Sequence, residues 1–178
     1  MQSIDYLFGW DVAESPRNQM LLAKMKGVGI NPKARPSNPK LVTDLLSFYN
    51  PDNKESQWAI FATNKASLLS EVEHAVAAAF CLTYGLSVNY LSPQIIFDNL
   101  RQRSEEEGEA KNIYSGAFVV FSEVDKPIKA LSYHKGTLSN LFRHWIKNNT
   151  MVLLTSTYKA VHTEKDRTFM DTIEFFYG

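Results

Sequence analysis

Holding a nucleotide phosphate at a strand-to-helix turn takes a defined set of residues. Two glycines let backbone N–H groups approach, a lysine reaches the β- and γ-phosphates, and a hydroxyl holds Mg²⁺, in the pattern Gly-x-x-x-x-Gly-Lys-Ser/Thr. In this chain the stretch Thr63-Asn64-Lys65-Ala66-Ser67-Leu68-Leu69-Ser70 has that length, follows an apolar segment and precedes an alanine-rich one. Ser70 supplies the hydroxyl. Thr63 and Leu68 stand where the glycines belong and Leu69 where the lysine belongs, so backbone freedom and charge are both lost. Lys65 lies within the stretch but is displaced from the position that gives the standard reach.

Three later segments bear on the same chemistry. An apolar strand ending in Asp-Glu seats the metal through the aspartate and polarises the attacking water through the glutamate. Here the corresponding end reads Phe121-Ser122-Glu123. Ser122 holds the aspartate position, which leaves a metal without its carboxylate, and Asp125 reads equally well as a turn residue before Pro127. Leu153-Leu154-Thr155-Ser156-Thr157 ends in hydroxyls, with Thr155 placed to sense a γ-phosphate, and Asp166-Arg167 precedes the last apolar segment. Other catalytic patterns are missing. His74, His134, His144 and His162 have neither i, i+4 spacing nor cysteine partners, which argues against zinc. There is no Gly-x-Ser-x-Gly elbow and no Gly-x-Gly-x-x-Gly loop. A metal-dependent hydrolase drawing on Glu71, Glu73, His74, Glu123 or Asp125 is disfavoured, because Glu73 and His74 are expected to face water, away from the apolar stripe of Val72, Ala75, Val76 and Ala79.

These residues need a scaffold, and the chain supplies one by alternation. Trp58–Ala62, Val88–Leu91, Ala117–Phe121, Met151–Leu154 and Ile173–Tyr177 are short apolar strand candidates, the middle one a continuous run of the kind covered on both faces. Between them, Leu68–Tyr84 reads as a helix ended by Gly85, Ser92-Pro93 caps another, and Gly136–Lys147 carries an apolar stripe of Leu138, Leu141, Phe142 and Trp145. Strand–helix alternation with right-handed crossovers predicts an α/β fold: a mostly parallel sheet between helices, over residues 57–178. Residues 1–56 read as an N-terminal extension with a Pro-rich basic linker. It holds one helix from Pro16 to Gly27 or Gly29 with Ser15 as its cap, and a second over Asn38–Tyr49.

Composition bounds the partners. Over 178 residues, Lys plus Arg and Asp plus Glu are both 19, so any contact with DNA must come from a local patch rather than from overall charge. Two such groups occur. Lys24, Lys26, Lys33, Arg35 and Lys40 lie in or beside the linker, with Lys33 and Arg35 as candidate phosphate contacts. Lys126, Lys129, Lys135, Arg143, His144 and Lys147 follow the third strand, with Lys129, Lys135, Arg143 and Lys147 as candidates and Tyr133 and Trp145 nearby as possible stacking partners. Cys81 is the sole cysteine, which excludes an internal disulfide and points to a reducing compartment. The N-terminus has no leader pattern, and a cytoplasmic location is expected.

The order of the degenerate segments resembles the AAA+ ATPase core of the DnaC/DnaI-type helicase loaders and the IstB-like transposition ATPases, over roughly Gln57 to Gly178. The resemblance implies a three-layer P-loop-like fold of the RecA/AAA+ type and, since the chain ends at the last strand, no helical lid. It makes Thr63, Lys65, Leu69, Ser70, Ser122, Glu123 and Thr155 the remnant of a nucleotide site, and Arg167 a candidate arginine finger acting on a neighbour. With the lysine and the metal-holding aspartate both gone, neither hydrolysis nor a cofactor is expected. The expected role is that of a non-catalytic subunit of a DNA-replication or DNA-mobility complex, docking on a partner ATPase or helicase. The alternative is a small protein-interaction regulator unrelated to nucleotides, with Tyr6, Phe8 and Trp10 as interface anchors.

Overall fold

A computed structural model describes residues 16–31, 36–85, 87–92, 94–95, 117–122, 135–156 and 173–177. Among the described residues the elements are, in chain order, α1 (Pro16–Gly27), α2 (Pro39–Phe48), β1 (Trp58–Ala62), α3 (Ala66–Tyr84), β2 (Val88–Leu91), β3 (Phe118–Phe121), α4 (Lys135–Lys147), β4 (Met151–Ser156) and β5 (Ile173–Tyr177). Each strand forms where an apolar run was expected, and each described helix lies within a few residues of its expected bounds. Local signals explain the ends. Asn38 caps α2 by accepting the Leu41 N–H at 3.2 Å, with Pro39 in the first turn. Gly85 closes α3 at φ +64° and donates its N–H to the Cys81 carbonyl. Asn149, at φ +56°, turns the chain from α4 into β4.

Among the described residues all the strand pairings are parallel, in the order β2-β3-β4-β1-β5. From β1 the chain steps outward to β2, then returns through β3 to β4. Right-handed crossovers in opposite directions place α3 and α4 on opposite faces. The burial pattern agrees. One face carries Ala59, Phe61, Phe118, Val120, Met151 and Leu153 against Leu69, Val72, Val76, Ala77 and Phe80 of α3, in one core. Residues one step out of phase point the other way, where Trp58 and Phe121 meet Phe142 and Trp145 of α4 at ring-centroid separations of 5.4–6.0 Å.

The N-terminal helices do not stand apart from this core. Leu21, Met25, Ile30, Leu41, Val42, Leu45 and Tyr49 are buried in the same cluster as α3 and the sheet. Tyr49 is the deepest link. Its hydroxyl donates to the Val152 carbonyl of β4 at 2.6 Å, and its ring meets Phe80 and Phe118 edge-on. Cys81 is buried, and burial raises its thiol pKa against the opposing pull of Lys24. It lines a cleft of about 440 Å³ with Leu21, Met25, Val28 and Val88, beside the start of β2. Among the described residues no helix is long and apolar enough to cross a membrane.

Candidate functional site

In an open parallel sheet the ligand crevice lies beyond the carboxyl ends of the strands, where successive crossovers leave in opposite directions. Here that place is the end of β1 and β4, and the turn from β1 into α3 opens onto it. The turn is two residues shorter than expected from sequence, where the helix is read from Leu68. Helix α3 begins at Ala66, so only Thr63, Asn64 and Lys65 join strand to helix. Thr63 is buried, its N–H donates to the Ser156 carbonyl of β4, and its hydroxyl accepts the Lys65 N–H at 3.2 Å. Ala66, Leu68 and Leu69 are strong helix formers with no glycine among them, so the helix extends back through positions that a phosphate loop keeps open. Leu69 is 3% exposed and part of the core, while Lys65 and Ser70 are exposed.

Of the other expected site residues, Ser122 and Thr155 are drawn together by Glu73. Glu73 was expected to face water; it is 1% exposed. One carboxylate oxygen accepts the hydroxyls of Ser122, at 2.6 Å, and Thr155, at 2.5 Å, and the other accepts the Tyr90 hydroxyl at 2.6 Å. The three donors come from the carboxyl ends of β3, β4 and β2, on the face covered by α3. Ser122 and Thr155 are buried at 4% and 0% exposure, so the bonds form away from bulk solvent. The burial of Glu73 has a plain physical origin. Leu69, Glu73, Val76 and Phe80 fall at i, i+4, i+7 and i+11, which is one stripe of a helix. Glu73 therefore lies on the buried face, and this spacing was the signal available in the sequence.

His74, half-buried, was also expected in water. Its ring stacks on Tyr90 at 5.4 Å and 12°, and its Nδ1 accepts the Asn31 N–H at 3.1 Å. That bond needs a neutral ring. Burial lowers the His74 pKa from its ordinary value, against the opposing influence of Glu73. One turn earlier, Glu71 accepts both the N–H and the hydroxyl of Ser37, at 3.0 and 2.8 Å. Two side chains of α3 thus fasten the segment between α1 and α2. Among the described residues no group of three or more His, Cys, Asp or Glu is arranged to hold a metal ion.

On the second basic group, Arg143 and Lys147 are exposed on α4, one turn apart, and Lys135 begins that helix. Trp145, weighed as a base-stacking residue, is fully buried against Trp58 and Phe121 and is unavailable for that role. Glu123, Lys33, Arg35, Lys129 and Arg167 lie outside the described residues.

A five-stranded parallel sheet of this order, with the candidate site at the carboxyl ends of its central strands, has the fold of an AAA+-type P-loop core, and it resembles that of DnaC-type helicase loaders. The likeness is to solved structures. A crystal structure described as a DNA replication initiation factor superposes with a TM-score of 0.60 at 15% identity, over 84% of this chain and 50% of that one. AMPPCP-bound DnaA from Aquifex aeolicus gives 0.56 at 13% identity, over 78% and 44%. The DnaC helicase loader gives 0.54 at 10% identity, over 80% and 92%. The chain spans about half the length of the first two. No family model and no curated protein matches the sequence.

Proposed function

We propose that this chain is a non-catalytic AAA+-type core that serves a DNA-replication or DNA-mobility complex by docking on a partner ATPase or helicase. The observation that carries the reading is the turn Thr63-Asn64-Lys65. A phosphate cradle needs a loop of several residues whose N–H groups converge on the anion, with glycine where the backbone comes close. Three residues without glycine, tied internally by the Thr63 hydroxyl, form no such loop. The position that should carry the metal's aspartate is Ser122, already engaged with Glu73. Replication initiators and a helicase loader share the fold, which supports placing the chain beside such machinery. Arg167 remains a candidate finger for a partner's site, and Arg143 and Lys147 candidate DNA contacts.

The test is direct. The purified chain is expected to show no ATP turnover and no saturable binding of ATP with Mg²⁺, and to co-purify from its native host with an ATPase or helicase. ATP turnover that disappears in Lys65→Ala would overturn the reading.

A further inference from the structure

The Glu73 cluster is built like a binding site with its ligand supplied by the chain. Three hydroxyls, at the carboxyl ends of β2, β3 and β4, converge on two oxygens of one carboxylate at 2.5–2.6 Å. None of the three belongs to the helix that provides the carboxylate, and they are separated from it by 17, 49 and 82 positions. A polar group buried away from water is costly unless it is hydrogen-bonded, and Glu73 gives the buried Ser122 and Thr155 hydroxyls and the half-buried Tyr90 hydroxyl an acceptor. That acceptor arrives from α3.

We propose that Glu73 is an internal ligand: its carboxylate occupies the strand-end site from within and holds β2, β3, β4 and α3 in one arrangement without any nucleotide. The site it fills is one for a small carboxylate. The inference rests on the reading that the chain does not use nucleotide, and it adds how the fold does without one. A nucleotide-driven core changes state when its ligand comes and goes, whereas a covalently attached ligand is always present at high effective concentration.

Glu73→Ala removes the four atoms that acetate can replace. Thermal unfolding of the full chain is the readout. Glu73→Ala is expected to lower Tm by roughly 10 °C, since the buried Ser122 and Thr155 hydroxyls and the half-buried Tyr90 hydroxyl all lose this carboxylate. Acetate at about 0.5 M should raise the Tm of Glu73→Ala by several degrees more than chloride of equal ionic strength, while leaving the wild type unmoved. The triple variant Glu73→Ala/Ser122→Ala/Thr155→Val, with two donors also removed, should be more stable than Glu73→Ala and indifferent to acetate. If Glu73→Ala does not fold, recovery of soluble protein on refolding in acetate but not in chloride supports the proposal. An acetate effect equal to that of chloride, recovery in neither salt, or an acetate response retained by the triple variant would overturn it. ATP binding by the wild type would instead sink the reading under Proposed function, so the two failures are distinguishable.

Discussion

At the scale of single residues, one buried and one half-buried titratable group make the fold sensitive to pH in opposite directions. Tyr49 is buried and donates to the Val152 carbonyl, and burial raises its pKa well above the ordinary 10.0. The unfolded chain loses that proton first, so the contribution of Tyr49 is complete below about pH 10 and declines as pH rises above it. Tyr49→Phe should cost about 1–2 kcal/mol at neutral pH and flatten the alkaline decline, as read by urea unfolding at several pH values. His74 behaves in the reverse sense. Its pKa in the folded state lies below the ordinary 6.5, so its stabilisation is present above about pH 6.5 and is lost as pH falls through the lowered value. His74→Phe keeps a ring against Tyr90 but removes both the acceptor for Asn31 and the titration. Unfolding free energy of that variant should depend less on pH on the acid side of 6.5 than the wild type's does. A variant with an unchanged acid limb would show that the ring does not report on folding.

At the scale of elements, α3 organises the molecule. It follows β1 after three residues, covers one face of the sheet, packs with α1 and α2 in the same core, and carries Glu71, Glu73 and His74. Its C-terminal end depends on Gly85, which is at φ +64° with the Arg17 guanidinium 3.3 Å from where a Cβ would stand. Gly85→Ala should cost about 1 kcal/mol for the left-handed backbone, with a further small loss if Arg17 is displaced. A Tm drop of roughly 2–4 °C is the expected measurement. The element bounds were mostly legible in the sequence, since Pro39, Asn38 and Gly85 are local stop and start signals. The beginning of α3 was not, because Ala66 to Ser70 can continue a helix or serve as loop. The hydrogen bond from Thr63 to its partner strand β4 decides between them.

For the molecule as a whole, the sheet is covered on both faces, and an exposed pair of cations, Arg143 and Lys147, lies on the outer side of α4. The net charge is zero, so association with DNA would draw on such pairs alone. If α4 contacts the DNA backbone as proposed, log K against log salt should be linear, and Arg143→Glu/Lys147→Glu should flatten its slope by about 1 per lost phosphate contact. The same substitutions lie away from the Glu73 cluster and should leave Tm nearly unchanged. Affinity that is flat with salt in the wild type would remove DNA from the list of partners. Attachment of α1 and α2 to the common core also bears on the whole. Residues 16–49 contribute buried side chains to the core, so deleting them should expose Phe80 and Phe118 and abolish cooperative unfolding.

Sequence by itself determined the alternation of strands and helices, the parallel sheet that follows from it, and the loss of the glycines and the lysine a phosphate loop requires. Those features are local or follow from chain topology, and hydrophobic periodicity records them directly. The occupant of the strand ends was decided only by tertiary structure. Ser122 and Thr155 could be singled out as site positions from strand order, but which acceptor they meet depends on how α3 is rotated over the sheet. That rotation is set by the packing of Leu69, Val76 and Phe80 into the core, and it brings together residues 17 to 82 positions apart. A carboxylate among apolar neighbours reads as solvated until the stripe it belongs to is docked. Once docked, three hydroxyls hold it.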